Sequence, residues 1–447
     1  MKLRFAPSPT GLMHVGNARL AVANALFARR HQGTFMLRID DTDVERSKDE
    51  YVREIYKALQ WLGLPWDELM HQSDRLEHYH NAIEKLKQSG RLYPCFETKE
   101  ELDFKRELRR RQNKPPIYDR AMLKLTEKQK ADAEANGKRP HWRFLLSDKE
   151  VQWNDLVMGA CRVKLTSISD PIMIKADGTV LYTLASVVDD LETGITHIIR
   201  GEDHVTNTGV QIDLINALSK QENSIHFAHL PLLLDEDGGK LSKRLGSISI
   251  RKLREDGLEP KAVMSYLARL GTSRDPQLLS FDELAKDYDL STYSRSPARF
   301  DVHQLLALNK KCLHTMDFEE VKGRLPSCVP KEFWQVIRPN IDMLSEVRFW
   351  WDLAQNDIIP EAEIGDKAFL QQALEALPMG EWNEDTWPQW INTLKAISGR
   401  KGKSLFHPLR LALTREEKGP EMKGFLPFIG YERATKRLKE AIANLQS

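Results

Sequence analysis

Arg4-Phe5-Ala6-Pro7-Ser8-Pro9-Thr10-Gly11-Leu12-Met13-His14-Val15-Gly16-Asn17 reads as a strand, a tight turn and the approach to a helix. Residues 3–6 are a short run fit for a buried strand. Pro7, Pro9 and Gly11 then break regular structure. Residues 18–30, rich in Ala and Leu, form a strong helix, which Asn17 or a residue just before it can cap. A helix N-terminus at the carboxyl end of a parallel strand is a ready site for phosphate. Gly16 lets backbone approach a ligand, and His14 offers a donor to a phosphate oxygen. A surface histidine in an ordinary turn would satisfy the same tripeptide, so the assignment depends on what accompanies it.

Working outward, residues 34–39 (Thr-Phe-Met-Leu-Arg-Ile) are a second strand, running into Asp40-Asp41-Thr42-Asp43. Three carboxylates in four residues make either a polar loop or a place to hold a cation or an amine. Amphipathic helices over 47–62 and 74–87 complete a strand–helix alternation that predicts a parallel α/β sheet. From about Tyr93 the character changes, with strands around 142–145 and 163–165 and a run over 105–114 that carries six basic residues and one acid. That run is a solvated helix face or a contact for a phosphate backbone. Residues 171–175 and 180–184 flank Asp177-Gly178 as a hairpin. The α/β pattern resumes with a buried strand over 195–200, a helix that Asn207 or Thr208 can cap, and an apolar strand over 227–234.

That last strand leads to a Gly-rich loop, Gly238-Gly239-Lys240-Leu241-Ser242-Lys243-Arg244. Three cations and a hydroxyl fit a polyphosphate that gains charge during reaction. The glycine spacing is not that of a Walker A loop, and no G-x-G-x-x-G follows the first strand. Beyond residue 252 the pattern is mostly helical, and six of the ten tryptophans lie between 334 and 390, mainly as helix-packing core.

Composition bounds the rest. The chain has 447 residues, enough for about three domains. It is 41% hydrophobic and 29% charged, a globular balance. With no apolar run near 18 residues and no basic-then-apolar leader, neither a membrane span nor a secretory signal is expected. Cys95, Cys161, Cys312 and Cys328 are scattered, which suits a reducing cytoplasm. A net charge of +1 gives no support to nucleic-acid binding by itself, so any such contact rests on local patches.

Taken together, the motifs resemble a known family. His14-Val15-Gly16-Asn17 resembles the His-Ile-Gly-His element of class I aminoacyl-tRNA synthetases, and residues 240–244 resemble their Lys-Met-Ser-Lys-Ser loop. Residues 4–11, 37–43, 199–204, 296–301 and 406–414 resemble bacterial-type glutamyl-tRNA synthetases, and the likeness covers nearly the whole chain.

The resemblance implies a Rossmann-like parallel-sheet catalytic domain (1–92 and 181–235) split by an α/β insertion that binds the acceptor end (93–180). It further implies a stem-contact domain carrying the Lys-Leu-Ser-Lys-Arg loop (236–300) and an all-helical anticodon-binding region (301–447). The implied reaction joins L-glutamate to ATP as an adenylate, then to the 3′ end of tRNA(Glu), with tRNA(Gln) as a second acceptor to be considered. Roles carried over by residue are ATP binding at His14, Gly16, Asn17, Asp203, Leu233, Lys240, Ser242, Lys243 and Arg244. Of these, His14, Gly16, Lys240 and Lys243 are the catalytic set. Glutamate falls to Arg4, Ala6, Ser8, Asp40, Tyr182, Ser186 and Arg200, where two arginines suit two carboxylates. Asp40 stands where the family has glutamate, and Ser186 where relatives carry asparagine. Mg²⁺ is expected to travel with ATP. Cys95 lacks the companions of the family's zinc knuckle, so no zinc and no other protein-held metal is expected. The expected protein is a cytoplasmic monomer. The competing reading is a catalytically impaired tRNA-binding paralogue, and a truncated relative without an anticodon region is disfavoured by the length beyond Pro297.

Overall fold

Short apolar runs alternating with amphipathic helices build a parallel sheet in the first of two units. The computed structural model describes residues 1–43, 45–219, 223–235, 238–239, 248–357 and 367–444. These fall into Met1–Leu253 with Val263–Asp301, and Arg254–Ala262 with Val302–Ser447. In the first unit, β1 (Lys2–Phe5), α1 (Val15–Arg30), β2 (Thr34–Ile39), α2 (Asp49–Trp61), β3 (Glu68–His71) and α3 (Leu76–Gln88) follow in turn. β4 (Leu92–Cys95) then leaves the sheet. With α4 (Lys99–Arg111), α5 (Glu127–Ala135), β5 (His141–Phe144), β6 (Glu150–Asp155), β7 (Gly159–Lys164) and β8 (Ile172–Ile174) it forms the insertion. The sheet resumes through α6 (Tyr182–Glu192), β9 (His197–Gly201), α7 (Val205–Ser219) and β10 (His226–Leu230).

The strand order is β10-β9-β1-β2-β3, with every neighbouring pair parallel. The chain leaves β1 toward β2 and β3 on one side and returns to β9 and β10 on the other. The reversal lies between β1 and β9, and ligands of open α/β sheets bind outside the carboxyl ends of the strands at such a switch point. Arg4 is on β1 and Arg200 on β9, so the fold sets both arginines at that crevice.

In the insertion, β4, β5 and β8 make an antiparallel sheet, and β6 and β7 a hairpin. Phe144, Leu146, Leu165 and Met173 of the insertion share one hydrophobic core with Tyr79, Leu184, Leu214 and Phe227 of the sheet layer. The insertion is thus welded to the catalytic sheet by apolar burial.

Two expected strands differ. The hairpin turn at Asp177-Gly178 forms, with the Lys175 amide donating to the Thr179 carbonyl at 2.9 Å, but its second arm is a single bridge from Ile174 to Val180. Tyr182 then opens α6, because Leu184, Ala185, Val187 and Val188 bury a helical face. The apolar run 227–234 is not one strand. Pro231, which has no N–H for a ladder, follows the end of β10, and Leu233–Leu234 pairs instead with Ala298–Arg299 of the 296–301 motif.

The second unit is helical throughout its regular structure, from Val302–Thr315 to Met422–Asn444. Its core gathers Phe333, Trp334, Trp350, Trp390, Leu405 and Phe425. Trp334 and Trp390 are fully buried, and their indole N–H groups donate to the carbonyls of Met316 and Ala373 at 3.2 and 3.0 Å. Trp351, Trp382 and Trp387 pack against the same core. Among the described residues, no helix is long and apolar enough to cross a membrane.

Candidate active site

Of the residues that could open α1, His14 does so. Its Nδ1 accepts from the amides of Gly16 and Asn17 at 3.1 and 3.3 Å. The Val15 amide donates to the Ile248 carbonyl at 3.1 Å, and that of Ala18 to the His14 carbonyl at 3.0 Å. The first amides of the helix are therefore all answered by protein. The side-chain donor left at this corner is the other ring nitrogen. With Nδ1 accepting, His14 carries its proton on Nε2, and burial lowers its pKa and favours this neutral form. Gly16 is required by space, since a Cβ there would sit 2.9 Å from His14 Nδ1 and Cε1.

Lys240, Ser242, Lys243 and Arg244 lie outside the described residues, but the chain on both sides of them meets the His14 turn. Leu233 Cδ1 lies 4.0 Å from where a Gly16 Cβ would stand. On the far side, Ile248 accepts from Val15, and the Ile250 amide donates to Met13 at 2.9 Å. The proline turn is also docked onto the acidic loop: the amides of Asp40 and Lys48 donate to the carbonyls of Pro7 and Pro9 at 3.0 and 3.1 Å. Ser8 and Asp203 are exposed, and Ala6, Asn17, Tyr182 and Leu233 are half-buried.

Arg4 is engaged in a buried ionic knot. Its Nε and Nη2 donate to the two carboxylate oxygens of Asp190 at 2.9 and 3.2 Å. Arg38 donates to the same Asp190 at 2.8 Å, to both oxygens of Asp40 at 2.7 and 3.2 Å, and to the Ser186 hydroxyl at 2.9 Å. Asp189 lies 3.9 Å from Arg38 and takes further bonds from Gln72, Arg75 and Tyr79. Burial raises the Asp190 pKa, but Arg4 and Arg38 outweigh it and hold the carboxyl below its ordinary value. For Asp40 burial wins over Arg38 and pushes the carboxyl up to about 6. Asp40 and Ser186, both expected at the amino acid, thus brace Arg38. The other two acids of the loop have their own partners, Asp41 in His71 and Ser73, and Asp43 in Arg46.

Arg200 has different company. Its Nη2 donates to Thr208 Oγ1 at 2.6 Å and its Nε to His229 Nε2 at 3.3 Å, both neutral acceptors. Its Nη1 is buried without a hydrogen-bond partner among the described residues. Burial lowers the Arg200 pKa, with Tyr182 acting in the opposite sense and Arg4 adding to the fall. A buried guanidinium with an unanswered N–H calls for an anion.

In the insertion, Cys95 Sγ lies 3.4 Å from Glu97 and 3.5 Å from the Tyr118 hydroxyl, which donates to Glu97 at 2.6 Å. Lys105 pairs with Glu97 and with Asp119. No cluster of three or more His, Cys, Asp or Glu among the described residues is arranged to hold a metal ion. The basic run lies mostly on α4, opened by a Thr98–Glu101 capping box; Arg106 pairs with Asp103, and Arg111 with Glu107. Sequence reasoning gave no role to Arg38, Asp155, Asp189, Asp190 or His229, and it took Asn207 or Thr208 for a helix cap, whereas α7 already begins at Val205 and holds both inside it. The available signal was a charged residue inside an apolar strand or helix, which must find a buried partner.

Comparison with known proteins shows the family. The family described as "tRNA synthetases class I (E and Q), catalytic domain" matches residues 1–307, and "Anticodon binding domain" matches residues 353–442. The chain is 60% identical over 441 residues to glutamate–tRNA ligase 2 of Gluconacetobacter diazotrophicus, covering 99% of this chain and 100% of that one. It is also 60% identical over 442 residues to glutamate–tRNA ligase 2 of Gluconobacter oxydans, at the same coverage. A crystal structure of a glutamate tRNA ligase from Elizabethkingia meningosepticum, in complex with its amino acid, superposes with a TM-score of 0.82 at 27% identity, over 99% of each chain. With its switch-point arginines, its histidine-capped first helix and its helical second unit, the chain belongs to the class I aminoacyl-tRNA synthetases of the glutamyl and glutaminyl kind.

Proposed function

We propose that this protein is a glutamate–tRNA ligase. The α-carboxylate of L-glutamate attacks the α-phosphorus of ATP, pyrophosphate leaves, and a ribose hydroxyl at the 3′ end of tRNA(Glu) then takes the glutamyl group from AMP. Both nucleophiles come from substrates, so the protein supplies position and charge. The observation that carries the choice of amino acid is Arg200, a buried cation with neutral partners and a free N–H. Glutamine would leave that charge unmatched, and a site of this kind rejects the analogue by about 10⁴.

Arg200 takes the side-chain carboxylate, with Tyr182 beside it. Arg4, Ala6 and Ser8 line the rest of the amino acid, and Asp40, whose oxygens already receive Arg38, reaches the substrate ammonium through water. On the ATP side, His14 Nε2–H donates to a phosphate oxygen, Gly16, Asn17, Asp203 and Leu233 shape the nucleotide site, and Lys240, Ser242, Lys243 and Arg244 neutralise the departing pyrophosphate. Mg²⁺ rides on the phosphates. Residues 93–180 receive the acceptor end, 236–300 the stem and 301–447 the anticodon of a tRNA bound by a monomer working in the cytoplasm. The Cys95–Glu97–Tyr118 cluster supports a knuckle held without zinc; metal analysis returning about one tightly bound zinc per chain would overturn that part.

The test is a charging assay with labelled glutamate and ATP on separate tRNA(Glu) and tRNA(Gln), each as transcript and in native form. Glutamylation of tRNA(Glu) is expected. Charging of tRNA(Gln) as well would establish relaxed anticodon reading. Charging of neither would leave an impaired tRNA-binding paralogue as the better description.

A further inference from the structure

The insertion reaches the amino-acid pocket through a chain of hydrogen bonds. Asp155 ends β6, in the hairpin of the insertion, and is fully enclosed. Its Oδ1 accepts from the amides of Val157, Met158 and His229, each at 3.0 Å. Its Oδ2 stands 2.5 Å from Nδ1 of His229, a fully buried residue of β10. Burial raises the Asp155 pKa, but the bond to His229 and the backbone amides outweigh it and keep the carboxyl below its ordinary value. An ionised carboxylate can only accept, so His229 places its proton on Nδ1 and leaves Nε2 bare. That bare nitrogen accepts from Arg200 Nε at 3.3 Å and lies 2.9 Å from the Thr208 hydroxyl, whose one proton also reaches the His204 carbonyl at 3.2 Å. Thr208 in turn receives Arg200 Nη2 at 2.6 Å. The hairpin sits close because Gly209, next to Thr208 on α7, has no side chain: a Cβ there would lie 2.7 Å from Cβ of Val163 on β7.

The Nε–Nη2 edge of Arg200 is thus taken by neutral acceptors: His229, oriented from the insertion, and Thr208, which meets His229 and the His204 carbonyl four residues back. What remains is the end-on edge, whose Nη1 has no partner among the described residues. We infer that Asp155, His229 and Thr208 are positioning residues that aim Arg200 end-on at the side-chain carboxylate of glutamate. This rests on the reading of Arg200 as the arginine of the substrate. In consequence the insertion, besides any part in holding RNA, sets amino-acid specificity.

Asp155→Asn tests the proton placement. The amide oxygen can keep the three backbone donors, so the NH₂ group faces His229 Nδ1 and forces the ring proton onto Nε2. There it opposes the Thr208 hydroxyl and Arg200 Nε. Thr208→Val removes the acceptor of Nη2 at constant shape, and Thr208→Ser keeps it. In glutamate-dependent pyrophosphate exchange with tRNA(Glu) present, Asp155→Asn and Thr208→Val are each expected to raise the KM for glutamate about tenfold to a hundredfold. They leave the KM for ATP within about twofold and narrow the preference for glutamate over glutamine, while Thr208→Ser restores most of the affinity. Arg200→Ala separates the two readings. If it raises the glutamate KM while Asp155→Asn and Thr208→Val, folded by thermal denaturation, do not, the positioning role falls and the substrate role of Arg200 stands. If Arg200→Ala leaves that KM unchanged, both fall. If glutamate and ATP KM rise together in Thr208→Val, the residue supports the fold only, and the positioning role falls.

Discussion

Arg4 and Arg200 stand on adjacent parallel strands, at the same end of the sheet, and are 4% and 5% exposed. By residue type and burial they are equivalent, and their surroundings divide them. Arg4 faces the carboxylate of Asp190, which it shares with Arg38, in a knot that also holds Asp40 and Asp189. Arg200 faces a hydroxyl and an imidazole. A guanidinium matched by a buried carboxylate is part of the frame, because removing either partner strands the other charge. A guanidinium whose direct acceptors are neutral, with Asp190 acting on it only through space, keeps more of its field for an incoming anion. The charge of the neighbours is what separates Arg4 from Arg200, the arginine proposed to meet the side-chain carboxylate.

That contrast can be broken in order of expected effect. Arg38→Met strands Asp40 in the interior, leaves Asp190 to Arg4 alone, and is expected to lower stability by about 3–5 kcal/mol in chemical or thermal denaturation; a loss under about 1 kcal/mol would show that the knot is not the frame. Arg200→Ala is expected to keep the fold and lower kcat/KM for glutamate by about 10²–10³, read in pyrophosphate exchange. A change in stability comparable to that of Arg38→Met would erase the distinction between the two corners. His14→Ala is expected to lower stability by about 1 kcal/mol through loss of the cap, and to raise the KM for ATP rather than for glutamate. An equal rise in both would place His14 on the amino-acid side as well. The smallest effect belongs to the opposite end of β9. There His197 stacks on His226 at a ring separation of 4.8 Å, and burial, then His226, His31 and the N-terminal ammonium, lower its pKa to about 4. The folded value lies below the ordinary 6.5, so the stability contributed by neutral His197 is present above pH 6.5 and is lost as the pH falls toward 4. His197→Gln is expected to flatten the stability profile over that window with glutamate KM unchanged.

Much of this was legible in the residues. The alternation of short apolar runs with amphipathic helices pointed to the parallel sheet, and the change of character near Tyr93 falls beside Leu92, where β4 leaves it. The tryptophans between 334 and 390 pack on the helical core, Trp382 doing so from the stretch that precedes Thr386. What stayed hidden were partnerships across long sequence separations. Asp190 is 186 residues from Arg4, and Asp155 is 74 from His229. A lone Arg38 between Leu37 and Ile39, or a lone His229 between Ala228 and Leu230, announces that a partner exists without saying where. The partners of the first amides of α1 were hidden for a related reason: the acceptor of the Val15 amide, Ile248, arrives from the far side of residues 240–244.

The answered amides of α1 bear on competition between ligands. A bare helix end is a collector of small anions, and inorganic phosphate or sulfate in the surrounding solution would occupy it between turnovers. Here a stray anion must displace either a histidine cap or a neighbouring carbonyl to gain any backbone contact. Small anions therefore gain little from the backbone of this helix end unless one of those contacts gives way.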